Sequence, residues 1–145
     1  MIELEIPGIP VPWSAPSIKR RAKWYSKHSN HKIFTQWQIK SLYRGKPLTG
    51  FVVVEYTFIE PPPASASKKT KQLMLDGTIP PARCDVTNLI KFMEDCLKNI
   101  VFLDDRYVAK NIGEKLYGTK GKILIKIWTL EEYRKLNNAD HPRKT

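Results

Sequence analysis

Between Asp85 and Asp105 the chain sets five acids (Asp85, Glu94, Asp95, Asp104, Asp105) against two lysines (Lys91, Lys98), a local charge of −3 within a net charge of +11. Carboxylates held close together repel, and a divalent cation is a common reason for holding them. Asp104 and Asp105 pose the sharpest case, because Phe102-Leu103 on one side and Tyr107-Val108 on the other put two like charges at the edge of a core. A hard cation such as Mg²⁺ takes one or two carboxylates, waters and a substrate phosphate. Held there, it would lower the pKa of a bound water and neutralise charge developing on a phosphate. Metal-dependent phosphodiester hydrolysis is the chemistry these residues suit. A plainer account uses the same residues structurally: Asp85 as a helix cap, Lys91 and Asp95 as an i,i+4 surface pair, Asp104-Asp105 as a turn. It serves Glu94 and Asp95 well and Asp104-Asp105 less well.

The element that must position these groups is legible. At about 100° per residue, Leu89, Ile90, Phe92, Met93, Cys96 and Leu97 fill one arc, and Thr87, Asn88, Lys91, Glu94, Asp95 and Lys98 fill the other. The division predicts a helix over 87–98 docked on a core, with Asp85 or Thr87 accepting an unpaired backbone N–H at its start. A helix running back over the core is expected to bring Asp85 close to a strand or turn beginning at Asp104. Around it, Ile2, Leu4 and Ile6 alternate with acids as a strand. A Pro-rich, basic and aromatic loop follows, and 31–44 reads as a helix that sets Phe34, Trp37 and Leu42 near a helical repeat and ends at Gly45. FVVVEYTFI (51–59) reads as a strand ended by Pro61-Pro62-Pro63, and 67–77 as a short basic helix stopped by Gly77. YVAKNIGEKL and GKILIKIWTL read as two strands, the second alternating Ile123, Ile125 and Ile127. A short helix over 131–136 and a frayed end complete the chain. Without a βαβα alternation, the expected class is α+β: a small mixed sheet packed with a few helices, one domain over residues 1–145.

Charge bounds the partner. A pI near 9.7 with clusters at Lys19-Arg20-Arg21, Lys68-Lys69-Lys71 and Lys120-Lys122-Lys126 suits a polyanion, most simply nucleic acid. No apolar run is long enough to span a membrane, and MIELEIPGIPV carries acids where a secretory signal would be basic, so a cytoplasmic protein is expected. Cys84 and Cys96 fit no CxxC pattern, and Cys96 falls on the apolar arc of the helix, where a thiol behaves as a small hydrophobe. Trp13 and Trp24, in the basic loop, suit either stacking on unpaired bases or a dimer contact, while Trp37 is expected in the core. His28, His31 and His141 have no metal-ligand spacing with one another.

The run Asp85-Val86-Thr87-Asn88-Leu89-Ile90-Lys91, then Asp95, then Phe102-Leu103-Asp104-Asp105, resembles the RusA family of Holliday-junction resolvases. The resemblance is dense over 80–115 and extends thinly to the Pro-rich N-terminal loop, the basic helix and Lys115. It implies a small α+β homodimer of phage or prophage origin, dependent on Mg²⁺ (with Mn²⁺ as a substitute), that makes paired nicks in branched DNA, the four-way junction of recombination and repair. Carried over, Asp85 and Asp105 would bind metal, Asp104 would be an acid of the same site, and Lys91 would serve at the scissile phosphate. Arg83 and Lys115, with Lys19, Arg20, Arg21, Lys68, Lys69 and Lys71, would contact nucleic acid, and Thr87, Asn88 and Asp95 would support the site. Thr87 stands where the founding pattern has aspartate, which removes one metal ligand and bears on junction specificity more than on nuclease chemistry. A non-catalytic nucleic-acid-binding protein and a nuclease of flaps, forks or RNA are the competing functions.

Overall fold

The β-branched, aromatic run in mid-chain forms β2 (Val52–Glu60), the strand around which the rest is built. Val52, Val53, Val54 and Tyr56 are fully buried, as a strand with neighbours on both edges should be. The computed structural model describes residues 1–12 and 21–140, with side chains over 1–12 and 29–138. In it β2 pairs in parallel with β3 (Val108–Tyr117) and antiparallel with β4 (Lys122–Thr129), and β4 pairs antiparallel with β1 (Ile2–Pro7), giving the order β1-β4-β2-β3. Parallel neighbours cannot be joined by a tight turn, so residues 61–107 form a crossover that carries α2 (Lys68–Leu75) and α3 (Val86–Leu97). With α1 (Arg21–Leu42) and α4 (Leu130–Asp140) this makes a single small α+β domain, as expected.

One face of the sheet carries the core. Leu4, Ile6, Val54, Tyr56, Phe58, Ile123, Ile125 and Ile127 project from it, and α3 answers with Leu89, Phe92, Met93, Cys96 and Leu97. The alternation of Ile123, Ile125 and Ile127 and the two arcs of α3 are thus realised, with Thr87 and Lys91 on the exposed side. Burial pushes the Cys96 thiol up to about 12, so it packs as an apolar group. The α2 helix starts at Ser67, whose hydroxyl oxygen accepts the Thr70 N–H at 3.2 Å, and stops at Gly77, whose φ of +90° few other residues adopt.

Two expectations need correction. The first helix, α1, begins at Arg21 rather than near residue 31; after Pro16 the chain has no proline or glycine until Gly45, so nothing breaks it. It also faces the other way. Ile39 and Thr35 are buried, whereas Phe34, Trp37 and Leu42 are 62%, 72% and 51% exposed, so Trp37 is not a core residue. Thr35 is tolerated inside because its hydroxyl donates to the His31 carbonyl at 2.9 Å. The His31 ring lies 5.3 Å from that of Phe92, which sets α1 beside α3 in one helical layer over the sheet. α4 runs longer than expected. Residues 13–20 and 141–145, with Trp13, Lys19, Arg20 and His141, lie outside the described residues, as do the side chains of Arg21, Trp24 and His28. No helix among the described residues is long and apolar enough to cross a membrane.

Candidate functional site

The acid pair owes its position to the turn that ends α3. Asn99 takes a φ of +68°, which asparagine tolerates better than most side chains, and its N–H donates to the Phe102 carbonyl at 2.7 Å. Val101 and Phe102 are then fully buried, and the Leu48 N–H donates to the Val101 carbonyl at 2.7 Å, which pins the turn. Asp104 emerges from this anchor. Its carboxylate accepts the Arg106 N–H at 3.4 Å and opens a single 3₁₀ turn, Asp105–Tyr107, that leads into β3. The two aspartates share a side-chain hydrogen bond, which holds Asp104 below the usual carboxylate range and Asp105 above it. Two like groups at a core edge are what the residue types implied.

Asp85 occupies the N-cap position of α3, but its side chain makes no capping bond, so its carboxylate is not committed to the helix. Neither Asp85 nor Thr87 caps the helix as expected. Both are exposed. The peptide in front of Asp85 is fixed instead by Lys115, whose Nζ donates to the Cys84 carbonyl at 2.8 Å. Arg83 is likewise engaged, pairing with Glu60 at 3.0 Å and donating to the Pro10 carbonyl at 2.8 Å. These two cations, expected on nucleic acid, hold the start of α3 against the ends of β2 and β3. Lys68 and Lys69 are exposed on α2 and Lys71 is half-buried.

Three contacts give the direction of α3. Glu94 accepts from the Asn111 amide at 2.9 Å, Val86 and Ile90 close on Gly113, and Cys84 meets Lys115. As β3 advances, α3 retreats, so the two run antiparallel. Asp85 therefore sits beside the far end of β3, while Asp105 precedes its near end, within electrostatic range of Glu94 and Lys98. The nine residues from Asp85 to Glu94 correspond to roughly 13 Å of helix. Asp104 and Asp105 are brought together; Asp85 is not brought to them. Among the described residues no three His, Cys, Asp or Glu side chains group closely enough to hold a metal ion. The donors are all oxygens, the chemistry a hard cation takes, but within one chain the set Asp85, Asp104 and Asp105 is not assembled around a common point.

Sequence reasoning missed Asn111, and it set Glu94 on the exposed arc, whereas Glu94 is half-buried and burial raises its pKa. The cue was Gly113. A glycine inside a strand marks a close backbone approach, and here a Cβ would come within 2.7 Å of Ile90 Cδ1 and 3.0 Å of Val86 Cγ2.

No curated protein matches the chain. The family model for endodeoxyribonuclease RusA matches residues 7–128, a span that takes in β2, β3 and nearly all of β4, both acidic segments and the crossover that carries them. The chain belongs to the RusA family of endodeoxyribonucleases.

Proposed function

We propose that this nuclease is a Mg²⁺-dependent resolvase of four-way (Holliday) junctions, acting in DNA recombination and repair in the cytoplasm as a homodimer. The observation that carries the reading is the family match over both acidic segments, joined to an adjacent acid pair held at a core edge. Hydrolysis of a phosphodiester needs a water delivered in line with the leaving oxygen and positive charge at the phosphate. When bound, Mg²⁺ would supply Lewis acidity and charge neutralisation, with Mn²⁺ as a substitute. From the chain itself, Lys91 on the outer side of α3 brings a compact positive charge near the helix start. Lys68, Lys69 and Lys71 add a basic helix suited to the phosphate backbone. A second copy suits both a substrate of near two-fold symmetry, with one cut per subunit, and the exposed apolar stripe of α1.

Cleavage of a four-way junction, a flap, plain duplex and RNA, each with Mg²⁺ and with EDTA, tests the reading. The expected result is Mg²⁺-dependent cleavage of the junction in preference to the others. Preference for flaps or RNA would shift the substrate, and junction binding without cleavage would make the chain a binding protein. Asp105→Asn should abolish cleavage while junction binding stays near normal. Cleavage retained at saturating Mg²⁺ would remove Asp105 from the site.

A further inference from the structure

We propose that the chain carries a strand-binding path beside the acid pair, in which Phe51 stacks on an unpaired DNA base and Arg134 and Lys135 of α4 take the phosphates of the strand that leaves it. The inference rests on the reading above of the acid pair as the cutting site.

The sheet itself brings the parts together. Val52 stands opposite Val108 of β3 on one side and Thr129 of β4 on the other, so Phe51, one residue earlier, lies between Tyr107 and Leu130. Its ring meets that of Tyr107 edge to face with 5.8 Å between centroids, and the Leu130 N–H donates to its carbonyl at 3.0 Å. Tyr107 closes the 3₁₀ turn that Asp105 opens, so the ring pair stands on the same turn as the acids. The Arg106 guanidinium lies over the Tyr107 ring, 5.1 Å from its centroid, which braces the ring and adds positive charge. Held in this way, Phe51 is still 53% exposed. A scattered apolar side chain at the surface needs no explanation. A ring fixed from two sides at the edge of a cutting site is different, because its flat face is set in position before any ligand arrives.

What lies beyond Phe51 decides the occupant. The same ring forms one wall of a surface groove whose other walls include Thr49, Leu130, Arg134 and Lys135. Both cations are exposed. Lys135 meets Glu131 at 3.3 Å, an exposed i,i+4 pair of the kind that contributes little and that a phosphate can displace. An aromatic face next to cations is the combination that holds single strands: the ring takes a base and the cations follow the backbone. A duplex hides its base faces and would use cations alone, as α2 offers, so the groove suits unpaired bases such as those at a branch point. α4 begins after residue 128, where the family match ends, so this wall of the groove stands outside the matched span.

Wild type, Phe51→Ala, Phe51→Trp and the double variant Arg134→Gln/Lys135→Gln are compared, each checked for folding by circular dichroism. The probes are a fluorescent oligodeoxythymidine and a plain duplex, bound in EDTA so that nothing is cut. Phe51→Ala should bind the oligodeoxythymidine about tenfold more weakly, the loss of one stacked base, with duplex affinity and salt dependence unchanged. Phe51→Trp should restore the affinity. The double variant should instead flatten the salt dependence, by about 0.7 in the log–log slope for each single-strand phosphate released. Wild type irradiated on a four-way junction that carries 5-iodouracil at the branch point should take the adduct on Phe51 or Tyr107, a result that depends on no variant's folding. Unchanged single-strand affinity in Phe51→Ala, or an adduct elsewhere, overturns the path. So does a shift of Phe51→Ala to a smaller species in sedimentation, which would make Phe51 a contact between copies. A wild-type chain that binds these probes but cuts no DNA overturns the nuclease reading, a separate outcome read with Mg²⁺ present.

Discussion

Glu94 illustrates how a single carboxylate is held against its preference. Burial disfavours its charged form more than the Asn111 hydrogen bond favours it, and Asp105 and Asp95 add like charge, so its folded pKa lies above the unfolded value. For a carboxylate raised in this way, the contribution to stability is greatest below the unfolded pKa and is lost as pH rises through the folded one. At neutral pH the ionised group therefore works against the fold. Glu94→Gln keeps an oxygen to accept from Asn111 and removes the charge. In EDTA, the variant should melt at a higher temperature than wild type at pH 7, and the difference should vanish below about pH 4. Equal melting temperatures across that range would mean that solvent reaches Glu94 freely. Tyr56, directly in the core, shows the same balance more strongly: its buried hydroxyl has no hydrogen-bond partner among the described residues, and burial raises its pKa well above the usual phenol value.

At the scale of elements, the close seating of α3 on β3 decides where both acid segments stand. Gly113 permits it, with Val86 and Ile90 occupying the space a side chain would need. Gly113→Val should lift the helix and cost about 1–3 kcal/mol, as overpacking of a well-packed interface does, read by denaturant midpoint. A change under a few tenths would show that the helix shifts at little cost. This seating also shows what the sequence could and could not convey. α3 was legible because its two arcs separate without exception, and β4 because Ile123, Ile125 and Ile127 recur at every second position between Lys122 and Trp128. α1 was not, because Phe34 and Trp37 form a stripe without revealing whether it meets this chain's core or something outside it. The separation of Asp85 from Asp105 was invisible for a related reason: a pattern names the residues of a helix but not its direction against a strand some twenty residues on. That direction follows from three tertiary contacts, of which only Gly113 left a trace in the sequence.

For the whole molecule, the charge of +11 is unevenly distributed, with −3 between Asp85 and Asp105 and the surplus of cations elsewhere. Arg83 and Lys115 are taken up in holding the start of α3, which leaves α2 as the basic element best placed to meet a phosphate backbone among the described residues. Changing Lys68, Lys69 and Lys71 together to glutamine should weaken junction binding and flatten its salt dependence, by about 0.9 in the log–log slope for each duplex phosphate no longer neutralised. An unchanged slope in fluorescence anisotropy would move the footprint to the Lys19-Arg20-Arg21 end. The sheet order has a consequence of another kind, in the timing of folding during synthesis. Among the described strands none is joined to its sheet neighbour by a hairpin, and β1 pairs with the last strand, Ile2 opposite Ile127. A chain made from its N-terminus has no local pairing to settle into, since β4 is the partner of both β1 and β2 and is the last strand synthesised. The sheet closes only once Lys122–Thr129 has been made, which places this domain among slow, non-local folders. An unfinished chain, or one cut short before residue 122, lacks the strand that joins its first two and cannot form the platform on which the acids stand.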